Sequence, residues 1–113
     1  MSNLTELSFK AAQEKVDKWI NQFEEGYWPP LSMLASIVEE VGELAREINA
    51  KENFKPKKVD NKNYKKNIGL ELGDLLFSII CIANYYGIDL EENFISVIKK
   101  YDERDYNRWT RKT

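Results

Sequence analysis

Leu75-Leu76-Phe77-Ser78-Ile79-Ile80-Cys81-Ile82-Ala83 is the stretch on which the fold turns. A short apolar run of this kind reads equally well as a buried strand or as part of a buried helix. Its surroundings decide between the two. From near Asn63 to the residue before Gly87 the chain contains no proline, and a segment of that length favours a helix over a strand. In its second half the helix is apolar on nearly all sides, so it must be covered on more than one face. In a chain of 113 residues, a second subunit is the expected cover. Cys81 then reads as a small core residue rather than a reactive thiol.

Three further helices follow from the same periodicity. The first is expected over Ser8–Glu25, where Phe9, Ala12, Val16, Trp19, Ile20 and Phe23 recur at three- and four-residue steps. Gly26 ends it, and Tyr27-Trp28-Pro29-Pro30 makes a stiff aromatic connection. The second is expected over Pro30–Lys51, with proline at its first turn, where the missing N–H is not needed. Its apolar stripe is Leu34, Ile37, Val38, Val41, Leu44, Ala45 and Ile48. The fourth begins after Asp89, an N-cap with Glu92 three residues on. Phe94, Val97, Ile98 and Tyr101 give the face expected to be buried. The reading is a single all-α, four-helix domain over residues 1–113.

Composition narrows the chemistry. The chain has no histidine and one cysteine. That excludes Ser-His-Asp and Cys-His nucleophiles, His-ligated zinc, CxxC sites and internal disulfides. A net charge of −2 and a pI near 5.3 argue against a general nucleic-acid binder. No continuous apolar run reaches the roughly 18 residues of a membrane span. Residues 1–7 lack a basic segment leading into an apolar one, so no signal peptide is expected and a cytoplasmic protein is the default. Chemistry must therefore rest on carboxylates, lysines and arginines, with or without a hard metal. Residues 51–67 hold seven lysines against Glu52 and Asp60. With Pro56 and four asparagines they read as a solvated basic loop, or as a flap that attracts an anion.

Acids occur at matched spacing on two helices. Glu39-Glu40-Val41-Gly42-Glu43 places Glu40 and Glu43 on one face, and Glu71-Leu72-Gly73-Asp74 repeats the pattern on the third helix. Each pair borders the apolar stripe and points toward the neighbouring helix. If the helices pack antiparallel, four carboxylates converge. Two unit charges about 5 Å apart repel by roughly 3 kcal/mol at an effective dielectric near 20. Several such pairs strain a domain stable by only about 5–15 kcal/mol. A divalent cation resolves the conflict, and an all-oxygen ligand set points to Mg²⁺ or Mn²⁺. Gly42 and Gly73 occupy equivalent places in the two motifs. Glycine inside a helix costs about 1 kcal/mol relative to alanine, so the pair predicts close helix approach at the site.

The paired motif resembles the acidic signature of the MazG-type, all-α nucleoside triphosphate pyrophosphohydrolases, and in particular their short, single-domain YpjD-like group. The resemblance runs from about Gln13 to Lys112 and includes Gln22-Phe23-Glu24-Glu25-Gly26-Tyr27 and the tail Arg104-Asp105-Tyr106-Asn107-Arg108-Trp109-Thr110-Arg111-Lys112. It implies a helical fold working as a homodimer or a dimer of dimers (a homotetramer). It also implies hydrolysis of an NTP or dNTP to NMP or dNMP and pyrophosphate, a reaction that serves nucleotide-pool clean-up. Glu40, Glu43, Glu71 and Asp74 match the family's Mg²⁺ ligands. Glu39 matches an acid assigned to a second metal or to the attacking water, for which it can serve as general base.

Phosphoryl chemistry also needs cations. Lys100, Arg104 and Arg108 step by four along the fourth helix and are the candidates for the β and γ phosphates. Trp19, Tyr27 and Trp28 are the candidates for stacking on the base. Two other readings compete. One is phosphoribosyl-ATP pyrophosphohydrolase, which shares the metal chemistry. The other is a non-catalytic helical interaction module, in which the acids are solvated partners of the lysine segment.

Overall fold

The structure, a computed structural model, describes residues 7–52 and 63–113. These form four helices: α1 over Phe9–Ile20, α2 over Pro30–Lys51, α3 over Tyr64–Tyr85 and α4 over Leu90–Asp105. No strand occurs among the described residues. The 75–83 run is helical throughout, in the middle and second half of α3. Most of the lysine-rich segment, residues 53–62, lies outside the described residues, so its reading as a loop or flap does too. Lys65 and Lys66 belong to the first turn of α3.

Local chemistry explains the boundaries. Ser8 caps α1 by accepting from the Ala11 N–H at 3.0 Å. The expectation that α1 continues to Glu25 is not met: it ends at Ile20. Asn21 turns the chain there, with its backbone N–H and its side-chain amide both donating to the Asp17 carbonyl. A side chain that competes for a backbone acceptor in this way favours a helix end over a helix interior. Gly26 sits at φ +61, a left-handed conformation suited to glycine, and leads the chain into Tyr27 and Trp28.

The other turns keep to the expected chemistry. Pro30 opens α2. α3 closes on Gly87, at φ +66, with Ile88 N–H donating to Ala83 O at 2.8 Å and Gly87 N–H to Asn84 O at 3.1 Å. This pair of bonds satisfies two carbonyls at the helix end. Asp89 then caps α4, accepting from Glu92 N–H at 3.0 Å.

Packing is led by α2 against α3, with α1 laid on α3. The core is small: Val16, Met33, Ile80 and Cys81, with Ala12, Ile20, Tyr27, Ile82 and Leu90 packed around it. Much of the expected core face is uncovered. On α2, Leu34, Val38, Val41 and Ile48 are exposed, and on α3 so are Leu72, Leu76 and Ile79. The face of α4 expected to be buried is not: Phe94, Val97, Ile98 and Tyr101 are all exposed. The reason is placement, since α4 packs on α1, where Phe94 meets Phe9 edge to face at 5.4 Å, and leaves α2 and α3 open.

The same openness shows in the dimensions. The radius of gyration is 17.6 Å, against about 13 Å for a compact domain of this length. The accessible surface is 9503 Å², where a compact monomer of this mass exposes about 6,500 Å². One further property of α3 departs from expectation. Over an 18-residue window its mean hydropathy reaches 1.5, so by length and composition alone it is long and apolar enough to cross a membrane. Glu71 and Asp74 interrupt it, and the core helix of a soluble protein meets the same measure.

Candidate active site

The acids converge where α2 and α3 face each other. Glu40 from α2 and Glu71 and Asp74 from α3 each present a carboxylate oxygen, and the three oxygens lie within 4.8 Å of one another. Glu40 and Glu71 are half-buried, and Asp74 is exposed. The spacing explains the meeting. Residues three apart on α3 share a face, and that face is turned toward the turn of α2 that carries Glu40.

The cluster is electrostatically unsettled. Partial burial raises the Glu71 carboxyl above its usual range, and Glu40, hydrogen-bonded to it, raises it further. Asp74 and Glu43 push in the same direction. Three carboxylates gathered this closely, with oxygen as the only donor type, fit a hard divalent cation of the Mg²⁺ or Mn²⁺ kind.

The other expected site residues are placed differently. Glu43 is exposed on α2, outside the three-oxygen group but near enough to act on Glu71. Glu39 is exposed on α2, also outside that group. Gly42 and Gly73 do not mark a close approach of α2 and α3. Both are exposed, and a Cβ added at either would meet nothing within 4 Å.

Beside the acids lies a cavity of about 420 Å³, within the usual size range of small-molecule sites. Its lining is mostly aromatic and apolar: Trp19, Phe23, Tyr27, Trp28, Met33 and Phe77. Trp19 is braced edge to face by Phe23 at 5.2 Å and by Phe77 at 6.0 Å. Cys81 is buried on the cavity lining, and burial pushes its thiol up. Two serines face the cavity as well, Ser36 and Ser78. Ser36 stands four residues before Glu40, and Ser78 four after Asp74. On both helices the cavity is therefore one turn from the carboxylates.

Trp19, Tyr27 and Trp28 thus come together, while Ser36, Ser78 and Phe77 are additions that the acidic motifs did not single out. The i±4 relation to Glu40 and Asp74 would have found both serines. The cations of α4 are apart from this site. Arg104 makes a two-pronged pair with Asp105 at 3.0 and 3.1 Å, and Arg108 reaches the same carboxylate at 3.5 Å. Lys100 and Arg104 line a shallow depression on α4 itself, with Ser96, Lys99 and Glu103. α4 makes its main contact with α1, and Lys100, Arg104 and Arg108 form no ion pair with Glu40, Glu71 or Asp74 among the described residues.

Comparison with known proteins agrees with this architecture. Residues 29–109 match the MazG nucleotide pyrophosphohydrolase domain. The uncharacterised protein YpjD of Bacillus subtilis (strain 168) is 45% identical over 109 residues, which span 96% of each chain. The uncharacterised protein YvdC of the same organism is 31% identical over 96 residues, 78% of this chain and 87% of that one. Two crystal structures superpose well at 40% identity. One is a Bacillus-conserved MazG protein described as a nucleotide pyrophosphohydrolase, with a TM-score of 0.74 over 92% of this chain and 99% of that one. The other is the putative pyrophosphatase YPJD from Bacillus subtilis, with a TM-score of 0.77 over 88% of this chain and 99% of that one. Four helices, a carboxylate cluster between two of them and a family match spanning both acidic motifs lead to one conclusion: the chain belongs to the MazG nucleotide pyrophosphohydrolase family.

Proposed function

We propose that this protein is a Mg²⁺-dependent hydrolase that converts an NTP or dNTP to the monophosphate and pyrophosphate. Its place would be the cytoplasm, where it would clear surplus or damaged nucleotides. One observation carries the reading: the apolar, aromatic cavity lies one helical turn from the carboxylate cluster on both α2 and α3. A nucleoside triphosphate has the same polarity along its length, with a flat π-face at one end and a polyanion at the other. Trp19, Tyr27 and Trp28 would hold the base, and Ser36 and Ser78 would meet the sugar end.

Glu40, Glu71 and Asp74 would hold the metal, with Glu43 as a further ligand. When bound, the ion would neutralise phosphate oxygens and lower the pKa of a coordinated water. Glu39, solvent-exposed beside Glu40 on the same turn of α2, would take up the proton of the attacking water at its carboxylate. Hydrolysis of this kind is chiefly positioning and charge stabilisation, so cations are needed on the far side of the phosphates. Lys100, Arg104 and Arg108 would supply them from a second copy of the chain. The uncovered apolar rows on α2, α3 and α4 support such a homodimer, or a dimer of dimers.

The test is product analysis with Mg²⁺ across the NTPs and dNTPs, resolving NMP plus pyrophosphate from NDP plus phosphate. Pyrophosphate release that disappears in Glu40→Ala is expected. Absence of turnover with every nucleotide, together with no effect of Mg²⁺ on thermal stability, would instead favour the non-catalytic helical module.

A further inference from the structure

The connection from α1 to α2 supplies two walls of the cavity, Tyr27 and Trp28, yet it has no regular secondary structure to hold it. A polar network beneath the cavity does that work. The Tyr27 hydroxyl donates to the Asp17 carboxylate on α1 at 2.7 Å. It accepts from the Asn84 amide on α3 at 3.0 Å. One oxygen is thereby tied to two helices, with its proton committed to Asp17. Asn84 is itself fully engaged: its amide also donates to the Gln13 carbonyl at 2.9 Å, and its own carbonyl accepts from the Gln13 side chain at 2.9 Å.

Gln13 extends the network to the start of α4. It donates to the Ile88 carbonyl and accepts from the Leu90 N–H, both at 2.9 Å. An asparagine in the largely apolar second half of α3, half-buried and hydrogen-bonded at both ends, fixes geometry at the cost of apolar packing. Its neighbours in the network are wall-bearing Tyr27 on one side and the α3–α4 turn on the other.

We propose that the Tyr27 hydroxyl has a positioning role: clamped between Asp17 and Asn84, it sets the aromatic wall against which the nucleoside end of the substrate packs. This rests on the reading that the cavity takes that end of a nucleotide. The Tyr27 ring touches the core cluster and survives replacement by phenylalanine, so removal of the oxygen isolates the clamp. Asp17 lies outside the cavity lining and is exposed, so its replacement loosens the wall without touching the ligand. The carboxylate cluster makes no hydrogen bond within this network, so metal binding and the chemical step are left alone.

The experiment compares Tyr27→Phe, Asp17→Ala and Asp17→Asn in the full chain, each also carrying Trp109→Phe to leave Trp19 and Trp28 as the fluorescent tryptophans. Acrylamide quenching reads wall order without any nucleotide. Tyr27→Phe and Asp17→Ala are expected to raise quenching and to raise KM for the nucleotide about tenfold, with kcat within about twofold and the Mg²⁺-induced rise in Tm unchanged. Asp17→Asn, whose amide oxygen still accepts from the hydroxyl, is expected to restore both readouts. Unchanged quenching and KM in Tyr27→Phe would overturn the proposal. So would a parallel loss of kcat and Tm, which marks a merely structural bond. If the parent turns over no nucleotide, the reading of the cavity fails, and unchanged quenching still decides against the clamp.

Discussion

A carboxylate oxygen of Glu40 on α2 and one of Glu71 on α3 lie within 4.8 Å of each other, with an Asp74 oxygen inside the same limit from both. Like charges held at that distance disfavour the metal-free fold, and a cation that binds only the folded cluster reverses the effect. Glu71→Gln removes one of the charges while keeping the shape. It is expected to raise the Tm of the metal-free protein and to abolish the Mg²⁺-induced increase. In the parent protein that increase is expected to be on the order of 10 °C at Mg²⁺ well above its dissociation constant. Differential scanning calorimetry with EDTA and with Mg²⁺ gives both numbers. A Glu71→Gln protein that still gains the full Mg²⁺ increment would remove Glu71 from the ligand set.

The pH dependence follows from two shifts of opposite sign. Glu71 is raised in the folded state by partial burial and by Glu40. The fold therefore binds this proton more tightly than the unfolded chain, and metal-free stability rises as pH falls through the window just above 4.5. Asp105 is lowered, chiefly by its hydrogen bond from Arg104. Its contribution is present above 3.8 and is lost as pH falls through its folded value. These two groups place a maximum of metal-free stability in mildly acidic solution. If Glu71 holds the metal through its ionised carboxylate, the Mg²⁺ increment is expected to fade over the same window in which the metal-free protein gains. Tm measured from pH 3.5 to 7, with and without Mg²⁺, separates the two curves. A Mg²⁺ increment that stays constant down to pH 4 would contradict this linkage.

Cavity shape should be separable from metal binding. Ser78 lines the cavity one turn from Asp74, so Ser78→Leu fills space beside the acids without adding charge. KM for the nucleotide is expected to rise by at least about tenfold, from lost room for the ligand rather than lost chemistry. The Mg²⁺ increment in Tm should persist. Steady-state kinetics and calorimetry on the one variant are enough, and an unchanged KM would move the nucleoside end out of this cavity.

How much of this was legible beforehand differs from element to element. The meeting of Glu40 with Glu71 and Asp74 was readable, because i, i+3 spacing fixes a helix face and both pairs border an apolar stripe, but the expected fourth carboxylate, Glu43, stands outside the three-oxygen group. The α3 helix was readable too, from the length of its proline-free surroundings. The end of α1 was not, since Asn21 stops it through a side-chain bond to Asp17 O while the apolar period runs on to Phe23. The exposure of Phe94, Val97, Ile98 and Tyr101 was equally hidden. Periodicity says that a helix has an apolar face, and it does not say whether the same chain covers it. The meaning assigned to Gly42 and Gly73 failed for a related reason: a helical glycine permits close approach but does not require one. Ser36, Ser78 and the clamp on Tyr27 depend on pairing α2 with α3 and α1 with α3 in one register, which sequence spacing alone does not supply.

In one chain Arg104 and Arg108 are bound to Asp105, on a helix that packs against α1. If they serve the phosphates from a second copy, each active site needs carboxylates from one chain and arginines from another. Glu40→Ala and the double variant Arg104→Ala, Arg108→Ala are then each inactive alone, yet mixing them after joint unfolding and refolding creates hybrid dimers with one intact site. Random pairing makes half of the dimers hybrid, so about a quarter of the parent activity is expected to return. Val38→Glu, which puts a charge on an exposed apolar row of α2, should lower the mass seen by light scattering and remove activity together, if that row is where the copies meet. No recovery on mixing, from variants that refold and still show their separate Mg²⁺ behaviour, would mean that the arginines act on their own chain or not at all.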